Sequence, residues 1–337
     1  DRGIPTGADG RPVEAFEDIV FGDPEENHTA LTAHTFRALL QHDFSDDLKI
    51  NASAFYGDYD KFYSNFYASG YDPVNTPTQV TLDGYVDEVD RQNLILSTNL
   101  VGAFETGSIA HTLVAGAEFI DTSSDQFRFN AFWDTTQDDN EIFTIQRPLA
   151  LRGGIGTNAS GQRTVNDFTA DLNDDTRVDI EVVSAYVQDE VEVADWLRLV
   201  VGARFDSFDI TVDNVVSGEE RSRRDEEISP RLGLILKPRE TISLYASYSE
   251  SFLPRSGEQY ANINGAAAAL DPDTFTNLEV GLKWDFADRL SLTAAVFEIE
   301  QSSPQPSDAD PETLDVIDSE IRGFEIALNG AVTDFWS

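Results

Sequence analysis

Short segments in which apolar and polar residues alternate strictly recur along this chain, separated by polar turns. A period of two is the signature of a pleated strand with one greasy face. From Ile242 the even positions read Ile242, Leu244, Ala246 and Tyr248, against Thr241, Ser243, Tyr245 and Ser247. From Asn277, Leu278, Val280, Leu282, Trp284 and Phe286 alternate with Asn277, Glu279, Gly281, Lys283 and Asp285. In a third segment, Leu197, Leu199, Val201, Ala203 and Phe205 oppose Arg198, Gly202, Arg204 and Asp206. A soluble sandwich would bury such a face against a second sheet, whereas a membrane barrel would turn it to lipid.

The layout of turns favours lipid. Compact signals stand at Phe44–Leu48, Glu105–Ser108, Ala194–Trp196, Lys237–Arg239, Phe286–Arg289 and Val332–Trp336. Between them lie longer connections rich in Gly, Pro, Asn and Asp, near 64–79, 126–177, 214–227, 254–273 and 303–315. Tight turns at one end and long loops at the other are the pattern of outer-membrane barrels. About eleven strands result, an odd count that closes no ordinary bacterial barrel, so the expectation is an incomplete wall. Segments such as Val178–Val193 exceed the roughly 9–11 residues that cross a bilayer, which predicts a wall projecting beyond it. In Leu290–Ser302 the alternation slips, because Phe297 and Ile299 share parity with Ser291 and Thr293; a bulge, or emergence of the strand from lipid, is expected there.

Composition is compatible with this reading. Only alternate residues of a barrel wall need be apolar, so a hydrophobic fraction of 40% and a mean hydropathy of -0.32 do not argue against insertion. No stretch approaches the roughly 18 apolar residues of a membrane helix. The 337 residues contain no linker-like stretch and read as one β domain, 1–337. The absence of cysteine removes disulfides and thiol chemistry. The absence even of a start methionine points to a piece of a longer precursor whose signal peptide lies outside it. A formal charge of -39 excludes nucleic acid as a partner.

The wording of the strands is itself informative. Ala185-Tyr186-Val187-Gln188-Asp189-Glu190, Gly202-Ala203-Arg204-Phe205-Asp206, Tyr248-Ser249-Glu250-Ser251-Phe252-Leu253-Pro254, Asn277-Leu278-Glu279-Val280-Gly281-Leu282-Lys283 and Arg322-Gly323-Phe324-Glu325-Ile326 resemble TonB-dependent siderophore receptors. Asp1-Arg2-Gly3-Ile4-Pro5 and Tyr56-Gly57-Asp58-Tyr59-Asp60-Lys61-Phe62-Tyr63 look closest to the catecholate-type branch. The resemblance implies an all-β antiparallel transmembrane barrel of about 22 strands around a plug. It further implies a Gram-negative outer-membrane location, energy delivered by the TonB complex, and a ferric siderophore as cargo. Plug, TonB box and final strands are not in this sequence, which places it in mid-barrel.

No enzymatic constellation stands out. His34 and His42 on one strand would lie about 27 Å apart, too far to share a metal, and His28 and His111 are equally isolated. His111, beside Thr112 and a short turn, suits no surface hydrolase. Asp171-Leu172-Asn173-Asp174-Asp175 imitates a calcium loop but has Thr176 where Gly is required and Val182 in place of the bidentate Glu. Asp134, Asp138, Asp139 and Glu141 leave a weak surface calcium site open against a solvated acidic loop. No cofactor is expected, because the iron would arrive already chelated.

A planar, anionic ferric catecholate needs aromatic faces and guanidinium groups. Phe127, Arg128, Phe129, Phe132 and Trp133 supply both at the head of the longest loop, although an aromatic girdle at the membrane rim is the alternative. Arg221, Arg223 and Arg224 are a second candidate, opposed by the acidic neighbours that could pair with them. Arg255 and Tyr260 are a third. Arg204, Asp206, Glu279 and Lys283 should meet a plug or water. A porin, another outer-membrane barrel, or a soluble secreted β-protein remain the competing readings, with outer-membrane lipid and lipopolysaccharide as partners only in the barrel cases.

Overall fold

The computed structural model describes residues 4–146, 149, 151–254, 271–287, 289–306 and 314–330. Its strands are β1 (His28–Ser45), β2 (Leu48–Gly70), β3 (Gln79–Thr106), β4 (Ile109–Asn130), β5 (Glu141–Thr144), β6 (Ile155–Thr157) and β7 (Arg163–Val165), followed by β8 (Asp171–Ala194), β9 (Leu197–Asn214), β10 (Glu219–Arg239), β11 (Ile242–Leu253), β12 (Asp273–Ala287), β13 (Leu290–Pro306) and β14 (Leu314–Gly330). One sheet runs β1-β2-β3-β4-β8-β9-β10-β11-β12-β13-β14, with β5 added to β3 off the path, while β6 and β7 form a separate hairpin. Each wall strand pairs antiparallel with the next, so between the two edge strands β1 and β14 the backbone groups are satisfied within the sheet, the condition for entering hydrocarbon.

The strands are longer and the connections shorter than the residue pattern predicts. β3 spans 28 residues and β8 spans 24. The expected loops at 64–79 and 126–177 shrink to 71–78 and 131–170, and the one at 214–227 becomes a turn at 215–218. Where both faces of a strand are wet, alternation fades while backbone pairing continues. β13 and β14 likewise reach Pro306 and Leu314, inside the expected loop at 303–315. Most of the loop at 254–273 and the expected turn at 332–336 lie outside the described residues.

The outer face is layered. Along β3 the even positions Leu94, Leu96 and Leu100 belong to an exposed apolar belt, with Leu96 and Leu100 each 42% exposed. The belt continues through Val201, Leu232, Leu244, Leu278 and Val280, all exposed, and through half-exposed Leu199 and Leu282. Among the described residues no second protein layer covers it. Higher on β3 the same parity carries Gln92, Asp90 and Glu88, part of an acidic collar. One cross-strand row of that collar reads Asp60, Asp90, Asp125, Arg177, Asp213 and Glu220. Highest of all, Val86, Leu82 and Val80 are buried beneath loop residues.

The slip in β13 has a packing cause. Register with β12 is unbroken from Thr274↔Ser302 to Asp285↔Ser291, so no bulge lies there. Phe297 faces the polar side opposite Glu279 and Gly323, and its ring fills the space a Cβ at Gly323 would need. Tyr186 over Gly116 and Tyr245 over Gly281 repeat the arrangement, each ring laid across the backbone of a neighbouring strand.

Candidate functional site

At the long-loop end, segments remote in sequence close a dry core. Trp133 is fully buried, with ring centroids 5.6 Å from Phe66 and 5.3 Å from Phe143. Ile19, Phe21, Val80, Leu82, Ala131, Leu149 and Leu151 complete the cluster. A polar latch holds the N-terminal segment to it. The Asp23 carboxylate accepts hydrogen bonds from the Gly154 N–H at 2.9 Å and the Glu25 N–H at 2.9 Å. The Asn27 amide donates to Asn65 Oδ1 at 2.6 Å and to the Phe66 carbonyl at 2.9 Å. Burial and the nearby Asp23 push the Glu26 carboxyl up, and burial beside Asp83 does the same to Asp139.

This core corrects the reading of Trp133 as a ligand face: its ring is enclosed by Phe66 and Phe143 and meets no solvent. The rest of that segment stays accessible. Phe127, Phe129 and Phe132 are half-buried and Arg128 is exposed. Arg128 forms a two-pronged ion pair with Asp87, at 2.6 and 2.7 Å, and lies 4.7 Å over the Tyr85 ring. The bond to Asp87 pushes the guanidinium further up and holds it charged.

Arg221, Arg223 and Arg224 do not form the expected loop cluster, because all three are on β10 and the pleat divides them. Arg223 forms a largely buried pair with Asp225 at 2.6 Å. Arg221 pairs with Glu219 at 2.8 Å. Arg224 points to the opposite face, into the acidic collar, and pairs with Asp209 at 2.5 Å. Arg255 and Tyr260 lie outside the described residues. Among the described residues no three His, Asp or Glu side chains converge as a group that could hold a metal ion.

The polar face of the wall holds a cleft of about 940 Å³, lined in part by Glu118, Tyr186, Arg204, Asp206, Phe208 and Arg231. At its centre the Arg204 guanidinium bridges Glu118 at 2.9 Å and Asp206 at 2.8 Å, and the Ser184 hydroxyl donates to Asp206 at 2.5 Å. Further round, the Tyr245 hydroxyl donates to Glu279 at 2.6 Å, with the Lys283 ammonium 5.8 Å over the Tyr245 ring.

The wall is thus apolar on one face and ion-paired on the other. Residues 3–337 match the family described as TonB dependent receptor-like, beta-barrel. The chain belongs to the TonB-dependent receptor family. Receptors of this family are outer-membrane β-barrels, and this chain forms part of such a barrel.

Among curated relatives, the probable TonB-dependent siderophore receptor PiuA of Acinetobacter baumannii is 26% identical over 344 residues, which cover 98% of this chain and 46% of the relative. The crystal structure of that siderophore receptor superposes with a TM-score of 0.79 at 23% identity, covering 98% of this chain and 50% of the other. The closed form of the ferric-catecholate import receptor Fiu from Escherichia coli K12 gives a TM-score of 0.75 at 19% identity, covering 99% and 51%. The chain thus spans about half the length of the relatives it matches.

Several structural residues of the receptor barrel were not singled out from sequence. Phe21, Phe66 and Phe143 gave no periodic signal because their partners come from other segments. Asp23, in the run Gly22-Asp23-Pro24, carries the usual signature of a side-chain-capped turn and could have been found by it. Arg231 sits in a strand like any other basic residue, and its unusual surroundings emerge only from the register.

Proposed function

We propose that this chain is the extracellular-loop-bearing part of the wall of an outer-membrane receptor that imports a ferric siderophore with energy from the TonB complex. The family match over almost the whole chain carries the reading, and the relatives named as siderophore receptors support it. The belt meets outer-membrane lipid, and the collar above it lies level with lipopolysaccharide. On the extracellular rim, Arg128 held over Tyr85, with Phe127, Phe129 and Phe132 beside it, is the surface offered to the ligand. Arg221 pairs on the polar face of the same rim. No step of covalent catalysis is part of this reading.

The test is uptake of radiolabelled iron, presented as a panel of ferric siderophores, by cells that depend on the full-length receptor, with TonB intact or deleted. Saturable uptake of at least one complex that vanishes without TonB is the expected result. Passive uptake indifferent to TonB would identify a porin. Within that assay, Arg128→Ala should weaken binding of the accepted complex in direct titration, and unchanged affinity removes the Arg128 surface.

A further inference from the structure

In a chain with 62 acidic and 23 basic residues, an arginine without a carboxylate partner is conspicuous. Away from the short turns, every other arginine on the polar face of β4, β8, β9 and β10 is paired. Arg128 meets Asp87, Arg198 meets Glu190 and Glu192, Arg204 meets Glu118 and Asp206, Arg221 meets Glu219, and Arg223 meets Asp225. Arg231 is exposed on the same face, lines the 940 Å³ cleft, and makes no ion pair or hydrogen bond among the described residues.

Register explains why it is left open. Arg231 stands opposite Gly202 on β9 and Ser249 on β11, with Ser229 and Gly233 before and after it on its own face. Of the carboxylates that line the cleft, Glu118 and Asp206 are engaged by Arg204, and Glu250, which the pleat of β11 places on the other face from Ser249, accepts from the Tyr248 hydroxyl. What surrounds the guanidinium instead is hydroxyl and amide: Ser229, Ser249, Ser251 and Gln188 all line the cleft. A guanidinium presents parallel N–H donors that match a carboxylate two-for-two, and neighbouring hydroxyls can donate to the same oxygens. Enclosure by the protein wall focuses the field of the lone cation and strengthens it relative to bulk water.

We propose that Arg231, with Ser229, Ser249 and Ser251, forms a carboxylate-binding subsite on the inner wall of the barrel. The carboxylate comes either from an acidic side chain of a protein segment seated in the lumen or from a free molecule that passes through it. The inference rests on the polar face lining the barrel interior and not on which ferric complex is carried, so it can fail while the siderophore reading stands.

The experiment is thermal unfolding of the purified full-length receptor, as wild type and as Arg231→Gln, Arg231→Lys and Arg231→Glu, each with and without sodium malonate at constant ionic strength. If an internal side chain fills the subsite, Tm falls by about 2 °C or more in Arg231→Gln, falls further in Arg231→Glu, is partly restored in Arg231→Lys, and does not respond to malonate. If a free carboxylate is the ligand, malonate raises the Tm of wild type by a similar amount and leaves that of Arg231→Gln unchanged. A fall that is equal in all three variants shows that the stem and not the charge matters, and overturns the proposal. So does an unchanged Tm in every variant together with no malonate response in wild type.

Discussion

The outer face of β3 passes through two apolar environments with one parity. Leu94, Leu96 and Leu100 form part of a belt that touches no other protein layer among the described residues, whereas Val80 and Leu82 are packed with Trp133, Phe21 and Phe143 and Val86 is buried below them. In the proposed receptor, lipid and protein thus take turns as the partner of the same stripe, separated by the acidic collar of Glu88 and Asp90. Period two therefore identifies a greasy face without naming what covers it. The belt is specified by residues that each need only be apolar, while the extracellular core is specified by shape, and the two should respond differently to substitution.

The largest effect is expected in the extracellular core. Trp133→Ala removes a fully buried ring and should cost ~3–5 kcal/mol, released as local opening of the 131–168 segment. Hydrogen exchange of the full-length receptor should then show that segment deprotected while β8 to β12 keep their protection. Trp133→Phe should be much milder, since the indole N–H has no acceptor among the described residues and nothing polar is stranded. If loss of protection spreads through the wall, core and belt are one cooperative unit and the contrast fails.

The belt should instead be sensitive to charge. Val280→Arg places a guanidinium in the exposed apolar band and should cost ~2–4 kcal/mol of folding stability in a bilayer. Asp179→Arg, on the exposed collar of β8, should stay within about 0.5 kcal/mol. Urea titration of the receptor folded into phospholipid vesicles compares them, and equal costs would mean that the boundary between belt and collar is misplaced.

A third comparison uses glycine within the wall. A methyl at Gly281 would enter the Tyr245 ring, so Gly281→Ala should cost ~1–3 kcal/mol. At Gly102 the nearest atom to an added Cβ is Leu48 Cδ1 at 3.8 Å, and Gly102→Ala should be neutral within error of the same titration.

Much of this wall was legible because the pleat is rigid: Leu244, Leu282 and Leu199 had to share a side with their i+2 neighbours, and the eleven wall strands follow from counting such runs. The extracellular region was not, for a physical reason. Trp133 beside Arg128 resembles an aromatic ligand pocket when read along the chain, yet its partners Phe66 and Phe143 come from β2 and β5 and are visible only in space. Arg221, Arg223 and Arg224 look like one cationic loop in sequence, and strand pairing to the turn at 215–218 sends Arg224 to the other face. Loops were drawn too long for the same reason, since backbone pairing above lipid leaves no hydrophobic mark.

The smallest effect concerns pH and separates the two regions by their titrating groups. Glu26 and Asp139, both in the extracellular region, have carboxyls pushed above the ordinary range by burial, so the folded state favours their protonated forms. A group raised in this way contributes stability that is present below its unfolded value and is lost as pH rises through the folded one. Exchange protection of the 131–168 segment should therefore weaken modestly as pH rises through the window just above the ordinary carboxylate range, where carboxylates with raised values ionise. Below that window the trend should reverse, because Asp72 and Asp167 are held low by hydrogen bonds from Asn75 and Thr169 and lose them on protonation. Glu26→Gln should flatten the upper limb without moving the lower one. The belt positions Leu244, Val280 and Val201 carry no titratable group, so the exposed apolar band of β9, β11 and β12 should show no matching slope; a parallel slope in those strands would mean that the Asp23 latch, and not local titration, transmits pH to the whole wall.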